Sequence, residues 1–205
     1  WAEENKPRSG EGAQLHFGIV QGSTYPDLRQ LSAEQLVGMG FDGYAVGGVS
    51  VGEPEIEMFR AIDHAEPWLP ARKPRYAMGL GTPPQMLEMI ARGVDLFDCV
   101  HPTRSARHGL AFTPEGPVHI KNEQFARDER PLSPDCHPDV APFSRAYLRH
   151  LFKAGEILAL RLLSLHNLDF YLRLMRRAQA AIETQEFPAF QSEFLSRYQS
   201  RQSTT

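Results

Sequence analysis

Between residues 16 and 100 the apolar positions switch repeatedly between two periods. Short dense runs at 16–20, 43–46, 75–78 and 94–100 read as buried strands, each closed by small or polar residues. The stretches between them repeat at helical spacing. The first begins at Ser32, where Gln35 three residues on suggests a capping box; Leu36, Val37 and Met39 form its apolar face, and Gly40 ends it. The second carries Ile56, Met58, Phe59 and Ile62. In the third, Thr82 is the cap, Pro83 the first helical residue, and Met86, Leu87, Met89 and Ile90 the buried face. Four consecutive strand–helix units predict parallel strands joined by helical crossovers.

After Val100 the rhythm changes. Residues 101–142 are rich in Pro, Arg, His and Asp, with one hairpin expected from Leu110 to Ile120 around a Pro-Glu-Gly turn. From Ser144 the pattern is helical. Tyr147, Leu148 and Leu151 begin one face, which Ile157, Leu158, Leu160, Leu162 and Leu163 continue; residues 168–182 form another helix and 187–198 a last amphipathic piece. This gives a leader or disordered start at 1–14, strand–helix units at 15–108, and a hairpin-plus-helix region at 109–205 within the same domain.

Composition narrows the class. The 205 residues are 41% apolar, enough for one sizeable core. A net charge of −3 confines any nucleic-acid surface to a local patch. Two cysteines, Cys99 and Cys136, do not make a disulfide framework, so a reducing, cytoplasmic setting is the simpler reading. No apolar run approaches the roughly 20 residues of a membrane span, and no signal segment is evident. The chain opens on Trp1 rather than Met, which reads as a fragment or processed product.

The strand ends carry the chemistry: Gln21, Gly47, Gly48, Gly79, Gly81 and Asp98. Parallel α/β folds place their sites there. The glycines do not spell the dinucleotide fingerprint and no Walker lysine is present, which speaks against nicotinamide or nucleoside-triphosphate binding. Asp98 follows a run of short apolar residues, a costly place for a carboxylate without a job. Arg104 and Arg107 come directly after it and suggest an anionic substrate. Taken singly, each has a bland reading: a strand-end cap for Asp98, a turn for Gln21 and the glycines, core for Tyr76 and Met78, a solvated loop for the arginines.

The ordered set changes that balance. The blocks 17–22, 43–48 with 51–53, 76–81, 97–100 with 102–104, and the late 166–168 and 172–175 together resemble the tRNA-guanine transglycosylases, also called queuine tRNA-ribosyltransferases. The resemblance spans residues 16–190 and covers the carboxyl-terminal half to two-thirds of that family's chain. It implies a (β/α)8 TIM-type barrel, here its carboxyl half plus a helical subdomain. The implied activity is that of a pentosyltransferase exchanging guanine at the anticodon wobble position for a 7-deazaguanine base. Asp98 is then the nucleophile, and Gln21, Gly47, Gly48, Val49, Glu53, Tyr76 and Met78 surround the base. The segments Gly79, Leu80, Gly81, Thr82, Pro83, Pro84, Gln85 and Thr103, Arg104, Ser105, Ala106, Arg107 match those that contact RNA. Val51 before Gly52-Glu53 matches the bacterial form of the loop and implies preQ1 as the incoming base.

Two departures stand out. The family's structural zinc uses three close cysteines and a later histidine; His166 matches the histidine, but only Cys136 remains, with His137 and Asp139 as weak substitutes around Pro138. We therefore expect no zinc and no other cofactor. The family's other catalytic aspartates lie upstream of the matched region, and four units do not close an eight-stranded barrel. Exposed sheet edges then favour a homodimer or association with the missing half, and a chain inactive alone. The partners implied are tRNA and a guanine or 7-deazaguanine base, with no membrane. A non-catalytic RNA-binding or scaffolding paralogue is the alternative; a barrel enzyme for a small phosphorylated sugar is disfavoured by the lack of a late phosphate-cradling loop.

Overall fold

The computed structural model describes residues 14–49, 52 and 54–199. The chain divides into two units, Trp1–Cys99 and Val100–Thr205. The division falls where the sequence periodicity changes, nine residues before the boundary at 108 expected above.

The first unit runs β1 (Phe17–Val20), α1 (Pro26–Met39), β2 (Gly43–Val46), α2 (Glu55–Ala65), β3 (Arg75–Ala77), α3 (Pro83–Ile90) and β4 (Leu96–Phe97). The strands form one parallel sheet in sequence order, with Phe17 opposite Gly43, Tyr44 opposite Arg75 and Tyr76 opposite Leu96. All four carboxyl ends therefore share one edge. β2 is buried along its whole length, as a central parallel strand must be. Val20, Val46 and Ala77 pack with Met58, Ile62 and Met89 of the helices. On alternate positions of the outer strands Ile19 and Leu96 are 42% and 46% exposed, so the opposite sheet face is open there.

α1 starts six residues before the expected Ser32. Pro26 sits in its first turn, where the missing N–H costs nothing. Ser32 is mid-helix, and its hydroxyl accepts the Gln21 N–H instead of capping. Gly40 ends the helix in the left-handed conformation, as the pattern indicated. The capping box at Thr82 and Gln85 opens α3.

The second unit holds α4 (His101–Arg107), the hairpin β5 (Leu110–Thr113) and β6 (Gly116–His119), then α5 (Arg145–Ala154), α6 (Ile157–Glu183) and α7 (Phe187–Gln199). The Ser144 hydroxyl accepts the Tyr147 N–H to start α5, and left-handed Gly155 ends it. The sequence suggested one helical face from Tyr147 to Leu163 and another helix at 168–182; the break falls instead at Gly155, and α6 runs unbroken through 27 residues because no breaker lies between Leu163 and Leu168. Its buried Asn167 accepts the Phe112 N–H at 3.0 Å and donates to the carbonyls of Pro102 and Leu110, both at 2.9 Å. Ala106, Ala111, Val118, Leu148, Leu151 and Leu163 belong to the core around this anchor. No helix among the described residues is long and apolar enough to cross a membrane.

Candidate active site at the carboxyl edge of the sheet

β4 is only two residues long, and Asp98 follows it directly on the exposed edge. Its Oδ1 accepts two hydrogen bonds, from the Tyr76 hydroxyl at 2.6 Å and the Gly79 N–H at 2.7 Å. Both donors come from β3 and its exit. Tyr76 pairs with Leu96 in register, and strand alternation brings Leu96 and Asp98 to the same face. Gly79 has φ +73°, a conformation that side chains resist, and it delivers its amide to the carboxylate. The Tyr76 hydroxyl holds Asp98 below the usual carboxylate range, and the Gly79 amide adds to this against a smaller opposing push from burial. Tyr76 is in turn pushed up to about 12, first by the same bond. Asp98 is thus ionised at neutral pH. The Tyr76 and Gly79 donors both take Oδ1, and the backbone N–H of Asp98 itself adds a weaker bond to the carboxylate.

A second cluster occupies the ends of β1 and β2. The exposed Gln21 side chain lies against the glycine doublet: a Cβ on Gly47 would come within 2.6 Å of Gln21 Nε2 and 2.7 Å of Ile19 Cγ2. Gly48 adds φ +63° and a 3.0 Å approach to Gln21 Oε1. Beneath them Arg29, fully buried on α1, donates to Ser23 O and Gly47 O at 2.8 Å and to Val20 O and Gly48 O at 3.3 Å. One guanidinium thereby ties the exits of both strands together. The sequence reading missed Arg29, since an arginine among polar helix residues looks solvated.

The other residues singled out divide by exposure. Glu53 and Val51 lie outside the described residues. Val49 packs in the hydrophobic core. Met78 is half-buried at the end of β3. Tyr76, expected beside the base, meets Phe17 edge-on and has its hydroxyl committed to Asp98. Of the first RNA segment, Leu80, Gly81 and Pro83 are buried, and Thr82 and Gln85 spend their side chains on the capping box; Gly79 is exposed and Pro84 half-buried. The second segment is not a loop but α4, with Pro102 in its first turn. Helical geometry turns Ser105 and Ala106 inward and leaves Arg104 and Arg107 exposed, with Thr103 between. The buried members of both segments are thus packed inside the protein, while Gly79, Arg104 and Arg107 are exposed.

Comparison with known proteins now bears on this geometry. A family model described as queuine tRNA-ribosyltransferase matches residues 1–200. The chain belongs to the queuine tRNA-ribosyltransferase family. It is 48% identical over 203 residues to the queuine tRNA-ribosyltransferase of Thiobacillus denitrificans, covering 98% of this chain and 54% of that protein. The Caulobacter vibrioides protein of the same name is 49% identical over 200 residues, 97% of this chain and 54% of its own. For that of Zymomonas mobilis the values are 47% over 203 residues, 98% and 52%. The chain spans about half the length of these relatives and matches their carboxyl-terminal portion.

The structural zinc implied by the resemblance to this family is tested by the donors on hand. Cys136 Sγ lies 3.6 Å from His166 Nδ1 and accepts the Ser133 N–H at 3.2 Å. His166 Nε2 is 2.7 Å from Phe112 O, so this nitrogen carries the ring proton and Nδ1 is left to accept from the thiol. Burial lowers the His166 pKa and raises that of Cys136, which keeps both neutral. His137 accepts the Asp139 N–H through its own Nδ1. Among the described residues no three His, Cys, Asp or Glu side chains gather to hold a metal. One thiol and one imidazole do not make a closed tetrahedral site, so these residues do not fit a structural zinc.

Proposed function

We propose that this chain is the carboxyl-terminal part of a tRNA-guanine transglycosylase, a glycosyltransferase that replaces guanine at the anticodon wobble position with a 7-deazaguanine base such as preQ1. The observation that carries this reading is the Asp98 carboxylate, ionised and exposed at a strand end, with the Tyr76 and Gly79 donors sharing one oxygen. A carboxylate oxygen of Asp98 attacks the anomeric carbon of the ribose, and the C1′–N9 bond breaks. Its electron pair leaves with guanine, which takes up a proton. The incoming base gives up its N9 proton and attacks C1′ in turn, displacing Asp98 and restoring the original configuration. A carboxylate held well ionised suits both the attack and the departure.

The Gln21 amide offers a donor and an acceptor to a base edge, and the bare Gly47–Gly48 backbone lets a planar ring approach. The target base must leave its stack to reach such a site. Arg104 and Arg107 are exposed groups that suit RNA phosphate and base contacts. In this reading the four-stranded sheet is part of a (β/α)8 barrel, the reaction is cytoplasmic, and zinc is dispensable because the Cys136–His166 contact and the surrounding packing take its place. The isolated chain is incompetent. A non-catalytic RNA-binding subunit is the second reading, favoured by the incomplete metal donor set.

Incubating the chain with tRNA and labelled guanine, alone and with the amino-terminal portion of a relative, tests this. No exchange alone, exchange when complemented, and a covalent tRNA adduct lost in Asp98→Ala are expected. An adduct that survives Asp98→Ala removes the proposed nucleophile. RNA binding with no adduct under any condition establishes the scaffold instead.

A further inference from the structure

Arg29 does more than tie two strands together. Its Nη1 donates to Gly47 O at 2.8 Å and its Nη2 to Gly48 O at 3.3 Å. Successive peptides of an extended strand point their carbonyls to opposite sides, whereas these two point to one guanidinium. The left-handed turn at Gly48, φ +63°, breaks the alternation. A planar trans peptide sets each N–H opposite the carbonyl of the same peptide, and no peptide bond among the described residues is cis. Holding Gly47 O on Arg29 therefore turns the Gly48 N–H away from the guanidinium. Arg29 is fully buried and Gly48 is exposed, so that N–H faces the open side. Among the described residues nothing accepts it, while the Gly47 N–H already donates to Val20 O at 3.0 Å.

We propose that Arg29 is a positioning residue for base recognition: by holding the Gly47 and Gly48 carbonyls inward, it presents the Gly48 N–H, and not a carbonyl, to the base edge. The strand end then selects a base that brings an acceptor to this point, such as the 6-oxo group of guanine, over one that does not. Without the guanidinium the Gly47–Gly48 peptide is free to turn over, which would set a carbonyl against that oxygen. Neither glycine has a Cβ to resist the turn, so the polarity has to be fixed from outside the pair. A guanidinium suits this task because its rigid fork reaches several carbonyls at once, where a lysine amine is a single point.

This role rests on the base lying against Gly47–Gly48, as in the reading above, but not on Asp98 as the nucleophile. The test is base binding, read apart from exchange. The 205-residue chain, complemented with the amino-terminal portion of the Thiobacillus denitrificans relative, is titrated with guanine and with 2-aminopurine, which lacks the 6-oxo group. The unmodified sequence should bind guanine at least about tenfold more tightly. Arg29→Lys should weaken guanine about tenfold, leave 2-aminopurine where it was, and raise KM for guanine with kcat held within about threefold. In the unmodified sequence the Gly48 amide resonance should shift with guanine and not with 2-aminopurine, a readout that stands even where the variant unfolds. An unchanged preference in Arg29→Lys, whether both affinities hold or fall together, would reduce Arg29 to a structural tie and overturn the proposal. So would a Gly48 amide that guanine leaves unmoved, or an unmodified sequence that binds neither base or both alike. Guanine bound and discriminated without any exchange removes the Asp98 reading and leaves the role of Arg29 in place.

Discussion

The strand-end cluster of the first unit and the Cys136–His166 contact of the second began from the same kind of signal, a family motif rich in polar side chains. They end differently. At Asp98 the Tyr76 and Gly79 donors share one oxygen while the residue stays exposed, and at Gln21 the amide stands over bare glycine backbone. Internal bonds there aim groups outward. At His166 every polar atom is turned inward: Nε2 to Phe112 O, Nδ1 to the thiol, the thiol to the Ser133 amide. Internal bonds there commit the one thiol and the one imidazole to partners within the chain. A motif keeps its meaning only where the surrounding hydrogen bonds leave something unspent.

The sharpest way to break the contrast is Asp98→Ala in the complemented enzyme. Base exchange should fall on the order of 10³-fold or more, with thermal stability unchanged because the carboxylate is exposed. A variant that keeps its activity would make the first cluster as closed in function as the second. Arg29→Met comes next. It strips donors from buried carbonyls at the ends of β1 and β2, and a loss of about 3–4 kcal/mol is expected in denaturant titrations followed through the first unit. A loss below about 1 kcal/mol would show that packing alone holds the strand exits.

For the second cluster, a metal chelator should leave the melting temperature where it is, whereas a relative carrying the full cysteine set should lose stability. Elemental analysis finding one zinc per chain, with a chelator-sensitive melt, would show a ligand the donors on hand do not account for. The smallest effect sharpens the first cluster. Asp98 is held below its ordinary pKa, so its reactive form persists above that value and is lost as pH falls through it. Tyr76→Phe removes the leading cause, and the acid limb of kcat/KM should move to higher pH. An unmoved limb would mean that the Gly79 amide suffices.

Much of this was legible in residues because it is local. The strand–helix alternation follows from periodicity, Gly40 supplies the left-handed helix end its position suggests, and Thr82-Pro83 announces α3 by chemistry that acts within three residues; Gly155 makes the same kind of end but lies within what the apolar spacing reads as one face. The failures were non-local. Ser32 looked like a cap, but its hydroxyl serves Gln21 eleven residues earlier, and the leucines in the first turns of α1, Leu28 and Leu31, are exposed and do not mark its buried face. The segment after Asp98 looked like a basic loop because its inward residues, Pro102, Ser105 and Ala106, are small rather than conspicuously apolar. Arg29 goes inside because four carbonyls from two separate stretches, 20–23 and 47–48, converge on it, and no short window of sequence contains them all. Of the site, the residue types were readable; which donor meets which oxygen was not.

Asn167 has a consequence for how the second unit breathes. One amide group clasps the hairpin strand β5 and the start of α4 to the long helix, so none of the three can fray by itself. Solvent deuterium should then reach the Phe112 amide only when the whole unit opens, making that single proton a reporter of global rather than local unfolding.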